Sequence, residues 1–219
     1  MRNRNNLFFR KPFKYSFSRV TLFLIIVNCI VFGISYLIPR AYEYIRYYGA
    51  LNVILVDKGH MFWQFFTYMF VHSNVSHLFF NMLALLIFGF NVERTIGSKE
   101  FLLFYIVCGT VSGVFSYFVY KFTGQYLVFL MGASGAIYSL LFAYAVLYPR
   151  SMVYVWGVIP IPSPLLVLLY TGIEIFSQMR GKDGVAHLTH LFGFAAAWLY
   201  FMIRMGINPI KVWKNTYVK

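Results

Sequence analysis

The sequence predicts an all-α, polytopic membrane protein with six transmembrane helices. Apolar and aromatic residues make up 60% of its 219 residues, and charged residues only 11%. A soluble domain carries about 25% charged residues, because its surface must be hydrated. The charges are also spaced so that uncharged stretches recur along the chain, and several match the roughly 20 residues that a helix needs to cross a bilayer. Lipid is therefore the expected solvent for most of the surface.

The predicted spans follow the gaps between charged residues. Ser163 is an expected N-cap, and Pro164 then occupies the first helical position, where its missing N–H has no cost. The fifth span is therefore short, and the glycine-containing loop at 181–184 behind it is expected to be mobile. The approximate limits of the six spans are 19–38, 74–91, 100–121, 132–149, 163–179 and 185–204.

The distribution of Lys and Arg predicts that both termini face the cytoplasm. With this orientation, 13 basic residues lie inside and 6 outside, and cytoplasmic loops are normally enriched in basic residues. The first span lacks a small-residue cleavage site, so we expect an uncleaved anchor. The expected location of the protein is the plasma membrane. The net charge of +13 comes without a nucleic-acid-binding module, so no nucleic-acid partner is expected. Basic tails at 1–18 and 205–219 flank one membrane domain at 19–204.

One segment outside the spans is unusually aromatic. Met61–Phe70 contains six aromatic residues among ten. It is too aromatic to lie in water and too short to cross the membrane. An interfacial or re-entrant element is therefore expected.

Polar side chains recur at the predicted spans. Such groups are costly in hydrocarbon unless they are paired, and they usually face the interior of the bundle. His77 and Asn81 are four residues apart, so they share one helical face and can both donate hydrogen bonds inward. Taken singly, each histidine is more simply a structural hydrogen-bonding group. Their grouping favours a functional site, since four of the five lie at two spans: His72, His77, His187 and His190.

Two stripes of small residues predict that the fourth and sixth spans pack closely. Small residues at an interface let helix backbones approach each other. This approach would bring the Ser134 hydroxyl within hydrogen-bond reach of His190. On its own, the G-x-S-G sequence around Ser134 would indicate only close packing. The stripes are Gly135, Ser139 and Ala143 on the fourth span, and Gly193 and Ala197 on the sixth.

A serine beside a histidine points to nucleophilic catalysis. The hydroxyl becomes an effective nucleophile when a base takes its proton, and histidine is the usual base. We prefer His190 to His187, because small residues follow His190 at the third and seventh positions, whereas His187 is followed there by His190 and Phe194. A tetrahedral intermediate also needs hydrogen-bond donors for its oxyanion. The available donors are His77, Asn81 and the Ser134 backbone N–H.

Together these segments resemble the rhomboid family of intramembrane serine proteases. The matching pieces are H-x-x-x-x-H-x-x-x-N from His72, G-x-S-G from Gly132 and H-x-x-G from His190, in the family's order on six spans. The resemblance covers residues 19–204. It implies a protease that cuts single-span membrane proteins near the outer end of their transmembrane segment, without metal or other cofactor. Gln64 stands where the family often has arginine, which puts in doubt the contacts that an arginine would make.

The resemblance also implies individual roles. Ser134 would be the nucleophile and His190 the base, in a dyad without a carboxylate. His77 and Asn81 would line the oxyanion hole, and Tyr138 would pack against the catalytic imidazole. The supporting residues would be His72, through hydrogen bonding near the oxyanion hole, and Gly132 and Gly135 beside the nucleophile.

The sequence leaves other interpretations open. Glu174, the only acid in the interior of a predicted span and not at its first residue, could pair with a polar group, face a water-filled cavity or be uncharged, and we expect it to be structural. An inactive rhomboid-fold protein that binds or chaperones membrane clients is the main alternative function, although such relatives lack the serine or the histidine. A metal transporter or metalloprotease is a second, but H-E-x-x-H is absent. A purely structural role for every polar residue is a third. The oligomeric state is not specified.

Overall fold

The computed structural model describes residues 13–155, 157–180 and 187–217. Within these residues, four helices are long and apolar enough to cross a membrane: Val20–Leu37, Val75–Ile96, Ser98–Phe122 and His187–Met205. The predicted all-α, polytopic membrane fold is confirmed. That the chain crosses the membrane six times stays a prediction. The loop at 181–184, expected to be mobile, lies outside the described residues.

Helices follow one another along the described chain, interrupted by one β-hairpin. The first half comprises α1 (Val20–Leu37), α2 (Ala41–Gly49), α3 (Val53–Asp57), α4 (Gln64–Thr67), α5 (Val75–Ala84), α6 (Phe90–Ile96) and α7 (Ser98–Phe122). The second half comprises α8 (Ser134–Leu147), β1 (Met152–Val155), β2 (Ile159–Pro162), α9 (Ser163–Arg180), α10 (His187–Tyr200) and α11 (Pro209–Tyr217). A π-helical turn at Leu85–Gly89 joins α5 to α6, and another at Phe201–Met205 extends α10.

Helix α8 is the centre of the bundle. Ten of its 14 residues are buried, and it packs against α7, α9 and α10. A helix of 14 residues is about 21 Å long, which is shorter than the roughly 30 Å hydrocarbon core. Helix α8 is therefore not among the four described helices that are long enough to cross a membrane.

Buried carboxylates are fully paired at the end of the bundle opposite to Ser134. Glu93 accepts hydrogen bonds from the backbone N–H groups of Val20 (2.7 Å) and Thr21 (2.9 Å), and so caps the start of α1. Glu100 accepts two hydrogen bonds, each of 3.0 Å, from the guanidinium group of Arg204 in the π-helical turn. A buried charge is tolerated when it is paired and hydrogen-bonded. These contacts hold α1 against α6, and the π-helical turn after α10 against α7.

The aromatic segment before α5 folds as short helical turns packed against α7. Tyr68 is fully buried, and its hydroxyl donates to the Gly109 carbonyl at 2.7 Å. Gln64 is also fully buried, accepting from the Asn52 N–H (3.1 Å) and donating to the Tyr47 carbonyl (2.9 Å). A neutral glutamine therefore ties this loop together at the position where the family often has arginine.

The hairpin between α8 and α9 is not predicted by the sequence. Strands β1 and β2 pair antiparallel, with Met152 opposite Pro162 and Tyr154 opposite Pro160. Proline lacks an N–H and usually disfavours a strand, except at a sheet edge. In a two-stranded hairpin both strands are edges, so the two prolines that mask the strand signal are tolerated.

Candidate active site

The loop before α8 places Ser134 next to His77. Gly132 has φ +112°, and a Cβ there would lie 2.5 Å from His77 Nε2. Only glycine fits both the backbone conformation and the space. Ser134 is the first residue of α8, and the N–H groups in the first turn of a helix have no partner within it. Its backbone N–H is thus available to bind an oxyanion.

Close packing of α8 on α10 brings Ser134 to His190. The distance from Ser134 Oγ to His190 Nε2 is 2.9 Å. A Cβ on Gly193 would lie 2.3 Å from the Gly135 carbonyl oxygen, so at this point the two backbones are in direct contact. The Ser139 hydroxyl bridges them, lying 2.8 Å from the Gly193 carbonyl oxygen and 3.0 Å from that of Gly135. The two small-residue stripes are therefore adjacent, directly below the serine and the histidine.

Tyr138 fixes the plane of the His190 ring. The two rings stack at a centroid distance of 4.2 Å and an interplanar angle of 10°. Tyr138 lies one turn after Ser134 on α8, so one helix supplies both the hydroxyl that His190 contacts and the surface on which it stacks. The imidazole is thereby oriented edge-on toward the hydroxyl.

A carboxylate also contacts His190, a contact that the expected dyad without a carboxylate does not include. Glu174 Oε1 of α9 lies 3.0 Å from His190 Nδ1, and its Oε2 lies 2.5 Å from His187 Nδ1. The Tyr138 hydroxyl donates to Oε1 as well. The available signal is a lone acid in one span followed by two histidines at the start of the next. The sequence does not define which way α9 is rotated, so this pairing could not be assigned.

Glu174, His187 and His190 could in principle form a metal site, because one ligand atom from each lies within 4.8 Å of the others. Two ligands of a tetrahedral zinc ion, each 2.0–2.2 Å from the metal, are ~3.4 Å apart. The His187 nitrogen is only 2.5 Å from the Glu174 oxygen. In this arrangement the two side chains are therefore hydrogen-bonded directly to each other.

His77 and Asn81 face the same cavity as the serine and the histidine. Asn74 caps α5 by accepting the His77 N–H at 2.8 Å, which sets the position of His77 in the first turn. The Asn81 amide donates to the His77 carbonyl at 2.9 Å. An amide nitrogen has two hydrogens, so one remains for another acceptor. The cavity has a volume of about 580 Å³, and its lining includes Ser134, His190, His77 and Asn81.

His72 supports this region by packing, and the hydrogen bonding expected of it is not observed. Its ring lies edge-on to His77, with centroids 5.1 Å apart. Neither ring nitrogen has a hydrogen-bond partner among the described residues. Because His72 precedes α5 in an extended segment, it meets His77 from the side and does not share its helical face. Burial lowers the pKa of His72 to about 3, so its ring is uncharged at neutral pH.

Comparison with known proteins identifies the family of this chain. The profile of the Rhomboid domain matches residues 59–206, more than half of the chain. The chain belongs to the rhomboid family. The resemblance inferred from the sequence motifs is therefore confirmed, and all three motifs fall within the matched residues.

Individual relatives include plant and bacterial proteins. RHOMBOID-like protein 12, mitochondrial, of Arabidopsis thaliana is 27% identical over 202 residues, 85% of this chain. Rhomboid protease GluP of Bacillus subtilis is 31% identical over 69% of this rhomboid chain, and Rhomboid protease AarA of Providencia stuartii is 28% identical over 64%. The matched regions are 59%, 29% and 56% of the lengths of these three relatives.

Proposed function

We propose that this rhomboid protein is an intramembrane serine endopeptidase that cleaves single-span membrane proteins near the outer face of the bilayer. The observation on which the proposal rests is the 2.9 Å contact between Ser134 Oγ and His190 Nε2 at the wall of a polar cavity. A histidine nitrogen at this distance can take the hydroxyl proton as the serine attacks. The bacterial relatives named as rhomboid proteases support the same reaction type.

The reaction begins when Ser134 Oγ attacks the carbonyl carbon of the scissile bond and its proton passes to His190 Nε2. The oxyanion that forms accepts hydrogen bonds from His77, Asn81 and the Ser134 N–H. When the C–N bond breaks, the Nε2 proton passes to the departing amine, leaving an ester on Ser134. Water then attacks the ester and gives a proton to His190. Ser134 Oγ leaves with that proton, which releases the carboxylic acid and restores the site.

The substrate must expose its backbone before it can react. A transmembrane helix buries its amides in internal hydrogen bonds, so local unwinding has to precede attack. Helix-breaking and small residues near the cleaved bond should therefore favour cleavage. We place the protein in the plasma membrane. The excess of basic residues in the segments assigned to the inside supports an orientation with both termini in the cytoplasm and Ser134 near the outer face.

The test combines cleavage with active-site labelling. The purified protein is incubated with a panel of fluorescently labelled single-span substrates, and separately with a fluorophosphonate probe. We expect cleavage and labelling in the wild type, neither in Ser134→Ala, and most labelling to be lost in His190→Ala. Ser139→Ala is the matched control, because it removes a hydroxyl from the same helix without touching the reacting atoms.

Two results would contradict the proposal. Labelling that persists in Ser134→Ala would show that another residue reacts. Labelling that is lost in His187→Ala but kept in His190→Ala would show that His187, and not His190, is the base. Substrate binding without cleavage in the wild type would instead support an inactive rhomboid-fold protein that holds membrane clients.

A further inference from the structure

Glu174 is the most highly connected polar residue around His190. The residue is 4% exposed, and its side chain lies among three hydrogen-bond donors on two neighbouring helices. These are the Tyr138 hydroxyl, His187 Nδ1 and His190 Nδ1. An ionised carboxylate can accept about four hydrogen bonds and donate none. Three donors around it are therefore compatible with one carboxylate and two neutral histidines.

The carboxylate determines which nitrogen of His190 holds the hydrogen. Because Glu174 can only accept, His190 Nδ1 must be the protonated nitrogen in the 3.0 Å contact. The opposite nitrogen, Nε2, is then unprotonated and can accept the Ser134 hydroxyl hydrogen at 2.9 Å. This is the tautomer that a general base requires. When Nε2 takes the serine proton, the ring becomes cationic, and the carboxylate at Nδ1 stabilises that charge.

Glu174 is buried in a part of α9 whose other residues are exposed or partly exposed. From Leu168 to its end at Arg180, Glu174 is the only buried residue of α9. The surrounding side chains, such as Ile173 and Ile175, are 55% and 48% exposed and lie on the outer surface of the bundle. The contacts of Glu174 with His187 and His190 therefore hold this half of α9 against the bundle.

We propose that Glu174 is a positioning residue for catalysis, completing a Ser134–His190–Glu174 triad in which it fixes the tautomer of His190 and stabilises its protonated form. This inference rests on the proposed protease function. It also explains why a carboxylate is kept in a lipid-facing helix, where an unpaired charge is costly. A role limited to holding α9 in place would not require a charge at the nitrogen opposite to the serine.

The test is Glu174→Gln, assayed for kcat and KM on a transmembrane substrate and for labelling by a fluorophosphonate. Glutamine keeps the size of the side chain, but its amide N–H can donate to Nδ1 and so favour the tautomer with hydrogen on Nε2. That tautomer cannot accept from Ser134. We expect kcat and the labelling rate to fall about 10³–10⁴-fold, with KM changed less than about threefold.

Glu100→Gln is the matched control. It makes the same change in a fully buried carboxylate whose partner, Tyr200, is ten residues beyond His190, which is about 15 Å along α10. We expect it to lower the unfolding temperature while kcat per folded molecule stays near the wild-type value. Glu174→Asp is the second variant. It keeps the charge on a shorter side chain, so its kcat should lie between those of Glu174→Gln and the wild type.

The outcomes separate this inference from the proposed function. If the wild type cleaves and is labelled, Ser134→Ala does neither, and folded Glu174→Gln has a kcat within threefold of the wild type, the positioning role alone is overturned. Should Glu174→Gln fail to fold, the aspartate variant decides: a kcat equal to the wild type would mean that the precise approach to Nδ1 does not matter, and overturns the role. A wild type that neither cleaves nor reacts with the probe overturns both proposals.

Discussion

Replacing Gly193 with alanine tests the packing on which the Ser134–His190 contact depends. Gly193 lies one turn after His190 on α10, and Gly135 directly follows Ser134 on α8. A Cβ at Gly193 would lie 2.3 Å from the Gly135 carbonyl oxygen and 3.2 Å from its carbonyl carbon. Both atoms belong to backbone in the middle of a buried interface, so no flexible side chain can move aside.

The displacement can be estimated from this geometry. An ordinary contact between carbon and a carbonyl oxygen is about 3.3 Å or longer, so the helices must separate by about 1 Å. The same shift lengthens the 2.9 Å contact of Ser134 with His190 to about 3.9 Å, which is beyond hydrogen-bond range. A misplacement of about 1 Å in a catalytic site can cost about 10²-fold in rate. Overpacking a core typically costs about 1–3 kcal/mol in stability.

The assay measures cleavage of a fluorescent single-span substrate in detergent, with kcat normalised to the folded fraction from thermal unfolding. Gly33→Ala is the matched control, because a Cβ at Gly33 of α1 meets nothing within 4 Å and alanine favours helix. Ser139→Ala removes the bridging hydroxyl without adding volume, so it should lower kcat far less than Gly193→Ala. A Gly193→Ala protein with kcat within threefold of the wild type would refute the argument.

Three further predictions concern the oxyanion donors, the gate and the absence of a metal. His77→Ala and Asn81→Ala should each lower turnover about 10²–10³-fold, because each removes an oxyanion donor. The loss of stability should be small, since interhelical hydrogen bonds average about 0.6 kcal/mol in membranes. A variant that unfolds readily but keeps its turnover would contradict this role. The gate is tested in a protein whose free cysteines Cys29 and Cys108 are replaced. A disulfide between cysteines introduced in α9 and α5 should block cleavage until it is reduced, because movement of a lid such as α9 can limit turnover. Normal cleavage by the cross-linked protein would mean that substrate enters elsewhere. Chelators should leave kcat unchanged, and a loss restored by zinc would indicate a metalloenzyme.

The part of the site on α8 and α10 could be predicted because local sequence determines it. Glycine and alanine at helical spacing beside Ser134 and His190 indicate a close approach whatever the rest of the bundle does. The preference for His190 over His187 follows from the same stripes, since only His190 has small residues below it. In the structure the backbones meet at Gly135 and Gly193, and Ser134 lies 2.9 Å from His190.

The contact of Glu174 could not be predicted for the opposite reason. Apolar residues surround Glu174 on α9, so hydrophobic periodicity does not define which face turns inward. The rotation of α9 is set by tertiary contacts, among them the hydrogen bonds of Glu174 itself. The hairpin escaped prediction because Pro160 and Pro162 are unfavourable in most strands. The hydrogen bonds of Gln64 likewise depend on two distant backbone groups.

The three helices that carry Ser134, His190 and Glu174 are held together by different forces, and this difference has a functional consequence. Ser134 and His190 are fixed by backbone contact between α8 and α10, which no side-chain motion can release. Glu174 reaches His190 from α9, and from Leu168 to Arg180 it is the only residue of that helix that is buried. If α9 moves away to admit a substrate, the serine and histidine stay together while the histidine loses its carboxylate. Chemistry would then be fastest only after α9 has returned, so substrate admission and peptide-bond cleavage would be coupled through a single side chain.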